Sequence, residues 1–211
     1  MATKEIEQYF DATVNRDARD DLKLAVSLLP KDEREENVAV DCGCGAGPDI
    51  VFLREHGFNV HAYDIEEEAI SRCKQRFQDD AQVHVSQASF NTFTYPSACL
   101  VYADASLFYC PKSDFDEVIA KIKACLVDGG FFAGSFLGHR DTMASPEYDG
   151  EVLWSNVLTT DEVELKEKFS DYEIVKFTEH ELDGSTALGV PHHWHIFSMV
   201  VRKMKVRKMK A

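Results

Sequence analysis

An α/β protein built on a largely parallel sheet is what this sequence predicts, and three observations carry that reading. Short β-favouring runs alternate with helix-period segments between residues 38 and 136, the pattern of strands joined by crossover helices. Val38 to Val40 form an uninterrupted apolar run, as expected of a strand covered on both faces, and a glycine-rich turn follows at once. Near the end, the runs 172–177 and 195–202 are joined by a Gly-containing stretch with no room for a helix, which favours an antiparallel pair.

Residues 1–37 read as a separate helical segment. Ile6, Tyr9, Phe10 and Val14, then Leu22, Ala25, Val26 and Leu29, have the spacing of two helices interrupted near Asn15 to Asp20, and Pro30 with the run KDEREEN closes the region. After the strand at 38–41, Gly43, Gly45 and Gly47 permit positive φ, and Pro48 suits the first turn of a helix running through Ile50, Val51, Phe52 and Leu53 to a stop near Gly57. A second strand ends at Asp64. Glu66 to Glu68 favour a helix start, and Ile70, Cys73 and Phe77 form its apolar face. Val83 to Val85 and ACLVYA at 98–103 are the third and fourth strands. A helix with Phe115, Val118, Ile119, Ile122 and Leu126 on one face then ends at Asp128-Gly129-Gly130, FFAGSF at 131–136 is the fifth strand, and Thr160 to Phe169 is a further helix.

Chemistry concentrates at Asp41, Gly43, Gly45, Gly47 and Asp64. A strand ending in an acid, a turn without Cβ atoms, and a second strand ending in an acid about 20 residues further on make a βαβ unit suited to an adenosine-containing cofactor. Asp64 would accept hydrogen bonds from the ribose hydroxyls. NAD and an adenosyl sulfonium both fit the spacing, but Pro48 stands where a third dinucleotide glycine would fall, and no Tyr-x-x-x-Lys pair of an oxidoreductase is present. No Lys-Ser or Lys-Thr pair follows the glycines, which excludes a P-loop.

The D-x-G-x-G-x-G turn with its strand-terminal acid resembles the cofactor site of class I S-adenosylmethionine-dependent methyltransferases. That resemblance covers roughly residues 38–203 and implies a Rossmann-like three-layer α/β/α sandwich, with a seven-stranded, mostly parallel sheet and an antiparallel C-terminal strand. It implies S-adenosyl-L-methionine as cofactor, with its methionine part on the 43–47 loop, its amino group oriented by Asp41 and its ribose on Asp64 beside Ile65. Ala88, Ser89 and Phe90 would flank adenine, and Ala103 would close the site at the end of strand four. The family often has an acid in the adenine stretch; QASFN has none. The N-terminal segment would cap the pocket, since YFD is similar to the aromatic-acid start of small-molecule members. TALGVPHHWHIF looks like the C-terminal strand signature of the bacterial tellurite-resistance and thiopurine types.

By the same architecture, acceptor residues follow strands four and five. Asp104 binds the cofactor's amino group, orients a substrate, or is an ordinary loop carboxylate; Phe108 and Tyr109 could line an apolar pocket. In the segment His139-Arg140-Asp141, His139 could take a proton and Arg140 could attract a small anion, unless the segment is an ordinary surface salt-bridge pair. The Asn/Asp-Pro-Pro-aromatic sequence of enzymes acting on base or glutamine amino groups is absent. His193 and His195 share a strand face that His192 leaves, so no metal is expected.

Composition narrows the partners. The chain of 211 residues is 45% hydrophobic with a net charge of −14, and six basic residues crowd into Arg202–Ala211, so the body before them is more acidic still. Such a surface repels phosphate backbones and argues against nucleic acid. The VRKMK-VRKMK repeat reads as a strand end followed by a basic tail at 204–211. Cysteines 42, 44, 73, 99, 110 and 125 sit mostly in apolar runs and read as buried thiols of a reducing, cytoplasmic setting; neither a signal core nor an apolar run long enough to span a membrane is present. The enzyme alternative is an NAD-dependent oxidoreductase, and the non-enzyme alternative is a cofactor-binding protein without turnover. Oligomeric state is open.

Overall fold

The computed structural model describes residues 4–30, 37–145 and 157–205. Its helices are α1 (Lys4–Thr13), α2 (Asp20–Leu28), α3 (Pro48–Glu55), α4 (Glu67–Arg76), α5 (Phe115–Cys125) and α6 (Glu162–Lys168). The strands are β1 (Val38–Cys42), β2 (Asn59–Asp64), β3 (Val83–Gln87), β4 (Ala98–Ala103), β5 (Leu126–Gly138), β6 (Thr159–Thr160), β7 (Tyr172–Ser185) and β8 (Pro191–Lys203). They form one sheet in the order β3-β2-β1-β4-β5-β8-β7, with the short β6 pairing beside β5. All pairings from β3 to β5 are parallel, and β8 runs antiparallel to both β5 and β7. The Rossmann-like three-layer sandwich expected from the sequence is therefore present, with β6 added.

Strand periodicity sorts the core into two layers. Ala39, Leu100, Tyr102, Phe131 and Ala133 meet Leu22 and Ala25 of α2, Ile50 and Leu53 of α3 and Cys73 of α4 on one face. Val40, Cys42, Val101, Phe132 and Phe136 meet Val118, Ile119 and Ile122 of α5, Leu165 of α6 and Phe169 just beyond it on the other. Each Val, Leu, Ile or Phe among them, once fully buried, contributes about 1.5–3 kcal/mol. No helix lies between β3 and β4; there Phe93 stacks on Tyr63 at 4.1 Å, with Phe90 and Tyr95 edge-on to the same ring.

Two expectations need correction. Asp128-Gly129-Gly130 does not end a helix: α5 stops at Cys125, and the triplet lies inside β5 as an irregularity between the pairings of Leu126 and Phe131. Gly129 at φ +77° lets the strand deform without breaking. The C-terminal strands are also longer than their apolar runs, because β7 and β8 pair along a hairpin from Tyr172↔Lys203 to Ser185↔Pro191, where polar side chains face water on an edge. The run at 31–36 and the tail beyond residue 205 lie outside the described residues. No described helix is long and apolar enough to cross a membrane.

The sheet turns outward in both directions from β1 and β4, so the crevice beyond their carboxyl ends is the topological switch point where α/β sheets take ligands. Beyond β5, Gly138 touches the hairpin so closely that a Cβ there would lie 2.1 Å from Nδ1 of His195. Gly138→Ala is expected to lower unfolding stability by about 1–3 kcal/mol in urea titrations, through overpacking that moves the hairpin.

Candidate functional site

The turn after β1 is held open by backbone bonds. Gly43, Gly45 and Gly47 have φ of +76°, +51° and +79°. The amides of Gly43 and Cys44 donate to the Tyr63 carbonyl at 2.9 and 3.0 Å, and Gly47 donates to Cys44 at 2.9 Å. Pro48 then opens α3, as its missing N–H permits. Asp64 joins this turn directly: Oδ2 accepts from the Gly45 amide and Oδ1 from the Glu66 amide, both at 2.9 Å. Burial raises the Asp64 carboxyl, and these backbone donors pull it back. Each oxygen keeps a lone pair for a further donor. Ile65 beside it is 63% exposed, an apolar surface at the strand end.

Asp41 is 2% exposed, and its Oδ2 has no hydrogen-bond partner. Burial, with the charge of Asp49 next, pushes its carboxyl well above the usual carboxylate range, and Arg16 opposes them. Arg16 comes from the turn between α1 and α2 and grips Asp49 with both nitrogens, at 3.1 Å for one of them. Arg19 bonds Asp104 at 3.2 Å. The other Asp104 oxygen accepts from Ser135 Oγ at 2.8 Å, and Ser135 accepts from the Ala105 amide at 2.8 Å. Ala105 has φ +49°, the one non-glycine positive φ among the described residues, so this chain of bonds holds a strained turn. That turn presses Ser106 onto the glycine loop: a Cβ on Gly43 would lie 2.6 Å from the Cβ of Ser106. From the N-terminal side Phe10 lies 3.6 Å from the Cβ position of Gly45.

The remaining candidates divide into three places. Ala88 donates to the Asp64 carbonyl at 3.0 Å, and Ser89 is tied to Thr92 at 2.9 Å, so the stretch through Phe90 follows the end of β2. Ala103 ends β4, fully buried, and Tyr109 belongs to the tight turn Leu107–Tyr109, its ring 4.6 Å from Phe108. His139 and Arg140 lie by the hairpin, apart from this network in their contacts. His139 bonds Thr159 at 2.8 Å. Arg140 binds Glu181 at 2.7 Å and Glu179 at 2.8 Å, so its charge is largely compensated. The Arg140 side-chain bond in turn holds the Glu181 carboxyl down at about 2.

The histidines are structural in their contacts. His192 bonds Asp141 at 2.8 Å, both side chains buried, and Asp141 also accepts from the His195 amide at 2.9 Å. His195 Nδ1 accepts from the Arg140 amide at 3.1 Å, which puts the ring proton on Nε2, facing Glu179 at 2.9 Å. Glu179, Glu181 and His195 thus gather three ligand-type atoms within 4.8 Å, a grouping that strand spacing alone did not reveal. The Arg140 guanidinium already supplies their countercharge. Sequence pattern likewise passed over Arg16, Asp49, Tyr102, Ser106 and Ser135; the register of Tyr102 with Asp41 appears only in the sheet.

With this geometry in place, comparison with known proteins is informative. Residues 39–130 match a family described as a methyltransferase domain. No curated protein matches by sequence. Among solved structures, TehB from Haemophilus influenzae superposes with a TM-score of 0.73 at 19% identity, over 94% of this chain and 67% of that one. The 1,6-didemethyltoxoflavin-N1-methyltransferase of Burkholderia thailandensis, solved with 1,6-didemethyltoxoflavin and S-adenosylhomocysteine, gives 0.60 at 18% identity over 97% and 92%. The N-methyltransferase NodS from Bradyrhizobium japonicum WM9 gives 0.62 at 16% over 97% and 100%. Residues 39–130 therefore resemble a methyltransferase domain, set in a fold that these Rossmann-like structures share. S-adenosylmethionine is the methyl donor that such a domain takes, and nothing in these matches supports an oxidoreductase.

The residues fit that donor: glycines leave a cradle that Cβ atoms would fill, and a buried carboxylate oxygen awaits a partner. A carboxyl buried in this way carries a cost. Folded Asp41 titrates above the roughly 3.9 of an unfolded aspartate, so the folded protein keeps a proton that the unfolded chain releases, and stability falls as pH rises through that window. Asp41→Asn should therefore raise the melting temperature of the ligand-free protein at pH 7–8, with the gain shrinking towards pH 4, while weakening S-adenosylhomocysteine binding. Thermal unfolding across pH, paired with calorimetric titration, checks both.

Proposed function

We propose that this protein methylates a small molecule, using the 43–47 backbone and Asp41 for the methionine part of S-adenosylmethionine, Asp64 for its ribose, and Ile65, Ala88, Ser89 and Phe90 beside adenine. The observation that carries this reading is the meeting of an open glycine loop, a strand-terminal acid on that loop, and an unpartnered buried carboxylate oxygen at the switch point of the sheet. The donor, when bound, supplies an electrophilic methyl group on a positively charged sulfur. What the chain has to do is hold the acceptor in line and keep water out, which is worth effective molarities on the order of 10⁵ M or more. A soft anionic nucleophile needs no general base for this.

The acceptor side would be bounded by Ala103 and Asp104 at the end of β4, by Tyr109, by the N-terminal aromatics, and by His139 and Arg140 at the hairpin. Asp104, already bound by Ser135 and Arg19, suits positioning better than proton transfer. Arg140 would hold the hairpin at the rim through Glu179 and Glu181, and its residual field would still favour a small anion. A small acceptor is supported by the toxoflavin-type neighbour and by the acidic body, which disfavours polyanions. Six free thiols, five of them buried, support a cytoplasmic setting.

S-adenosylhomocysteine is expected to raise the melting temperature and NAD to leave it unchanged, because only ligands of the native state stabilise it. Stabilisation by NAD alone would overturn the assignment. Asp64→Ala should cost roughly 2–3 kcal/mol of cofactor affinity through the loss of a charged acceptor, read by calorimetry on the folded variant.

For the acceptor, a methyl-transfer screen of thiols, chalcogen oxyanions and small carboxylates against oligonucleotides and peptides should give turnover only with the small molecules. Arg140→Ala and removal of residues 1–12 should both reduce turnover, the truncation more than it reduces cofactor binding. Turnover confined to nucleic acid or protein, or full activity in both variants, would remove this reading of the acceptor site.

A further inference from the structure

Ser135 is a hydroxyl in the middle of an apolar strand. It lies between Gly134 and Phe136 on β5, 4% exposed, where an unbonded hydroxyl would be costly. Both of its bonds leave the strand. Oγ donates to Asp104 Oδ1 and accepts from the Ala105 amide, each at 2.8 Å, so its partners are the two residues that follow the end of β4. The pairing of Ala103 with Gly134 sets these chain segments side by side, and an alanine at 135 would leave the Ala105 amide and an Asp104 oxygen without their partner.

What those bonds hold is a single conformation. Ala105 has φ +49°, which an L-residue other than glycine seldom adopts. Ser106 then packs so close to the glycine turn that its Cβ lies 2.6 Å from the Cβ position of Gly43, and its carbonyl accepts from the Tyr109 amide at 3.0 Å to open the 107–109 turn. One backbone conformation therefore sets the gap between the turn after β1 and the segment after β4. Asp104 is held from the opposite side as well: Oδ2 accepts from Arg19 Nε at 3.2 Å, at the head of α2. The same carboxylate thus ties the α1–α2 segment to Ser135.

Building on the functional reading above, we propose that Ser135 is a positioning residue for methyl transfer. Acting through Asp104 and the Ala105 amide, it fixes the distance between the donor on the 43–47 loop and the acceptor beside the 103–109 segment. An in-line displacement is sensitive to this distance, since a shift of about 1 Å costs on the order of a hundredfold in rate. The Ser135 hydroxyl is engaged by Asp104 and Ala105 rather than by either reactant, so it governs turnover and leaves the affinity for each reactant nearly unchanged.

The test measures amide exchange and kinetics on wild type, Ser135→Ala, Ser135→Thr and Arg19→Ala. Hydrogen exchange of the ligand-free protein should accelerate at the Ala105 amide in Ser135→Ala and return towards wild type in Ser135→Thr, which keeps the oxygen. Arg19→Ala, at a side chain 62% exposed, should shift it the same way but less. With S-adenosylmethionine and the best small-molecule acceptor of the screen above, kcat of Ser135→Ala should fall on the order of tenfold or more, while KM for the acceptor and Kd for S-adenosylhomocysteine stay within about threefold. Wild type that does not bind S-adenosylhomocysteine, or that methylates none of the screened small molecules, overturns the functional reading and this one with it. Active wild type with Ala105 exchange unchanged in Ser135→Ala, or with kcat and S-adenosylhomocysteine affinity falling in parallel, overturns the positioning role alone.

Discussion

Gly43 is where the architecture has least freedom. Its backbone must turn out of β1 with a positive φ, and the Ser106 side chain from the end of β4 fills the space a Cβ would take. This close approach brings two strand ends, separated by more than 60 residues of sequence, to one point of the sheet. It is secured from the other side by Asp104, Ser135 and the amide of Ala105, which keep a strained turn in place through hydrogen bonds rather than through packing. Strain of this kind, of order 1–3 kcal/mol, persists only where surrounding structure over-determines it.

The same convergence removes several acids from water. Asp41, Asp49 and Asp64 are all raised by burial; for Asp64 backbone amides offset this, and for Asp41 and Asp49 a cation from the turn between α1 and α2 does. Arg16 and Arg19 thus do more than neutralise charge: they fix the α1–α2 segment over the glycine loop, together with Phe10 against Gly45 and Arg76 on the carbonyls of Val14 and Ala46. Breaking a buried pair from one side leaves an uncompensated charge, which costs about 3–5 kcal/mol. The cap and the cofactor loop are consequently one electrostatic unit. Asp41 is only partly compensated, by Arg16 and with no hydrogen bond to Oδ2, so a buried carboxyl there is less stable than a neutral group would be.

The hairpin follows different physics. Its outer strand is an edge, and the charged side chains along Tyr172–Ser185 keep it from pairing with another chain. Arg140 with Glu179 and Glu181, and Asp141 with His192 and the His195 amide, tie it to the end of β5. His192 and His195 serve here as buried hydrogen-bonding groups.

Local chemistry was enough for the strand starts, the glycine turn, Pro48 at the head of α3, Asp64 at the end of β2 and the antiparallel pair, because each depends on side-chain period or on a backbone conformation that few residues adopt. The class of fold and the resemblance to a methyltransferase domain followed from those features. What depended on distance in sequence was invisible: that Asp64 bonds Gly45, that Arg140 is compensated by two glutamates about 40 residues later, that Asp128-Gly129-Gly130 is absorbed into β5, and that β7 and β8 extend past their apolar cores. Tyr102 and Ser106 belong to this second group. A tyrosine in an apolar strand and a serine in a loop carry no signal of their own; sheet register and one close backbone approach are what leave their hydroxyls buried without a partner. Sequence determines which groups exist, and only the packed chain decides which of them are left unpaired.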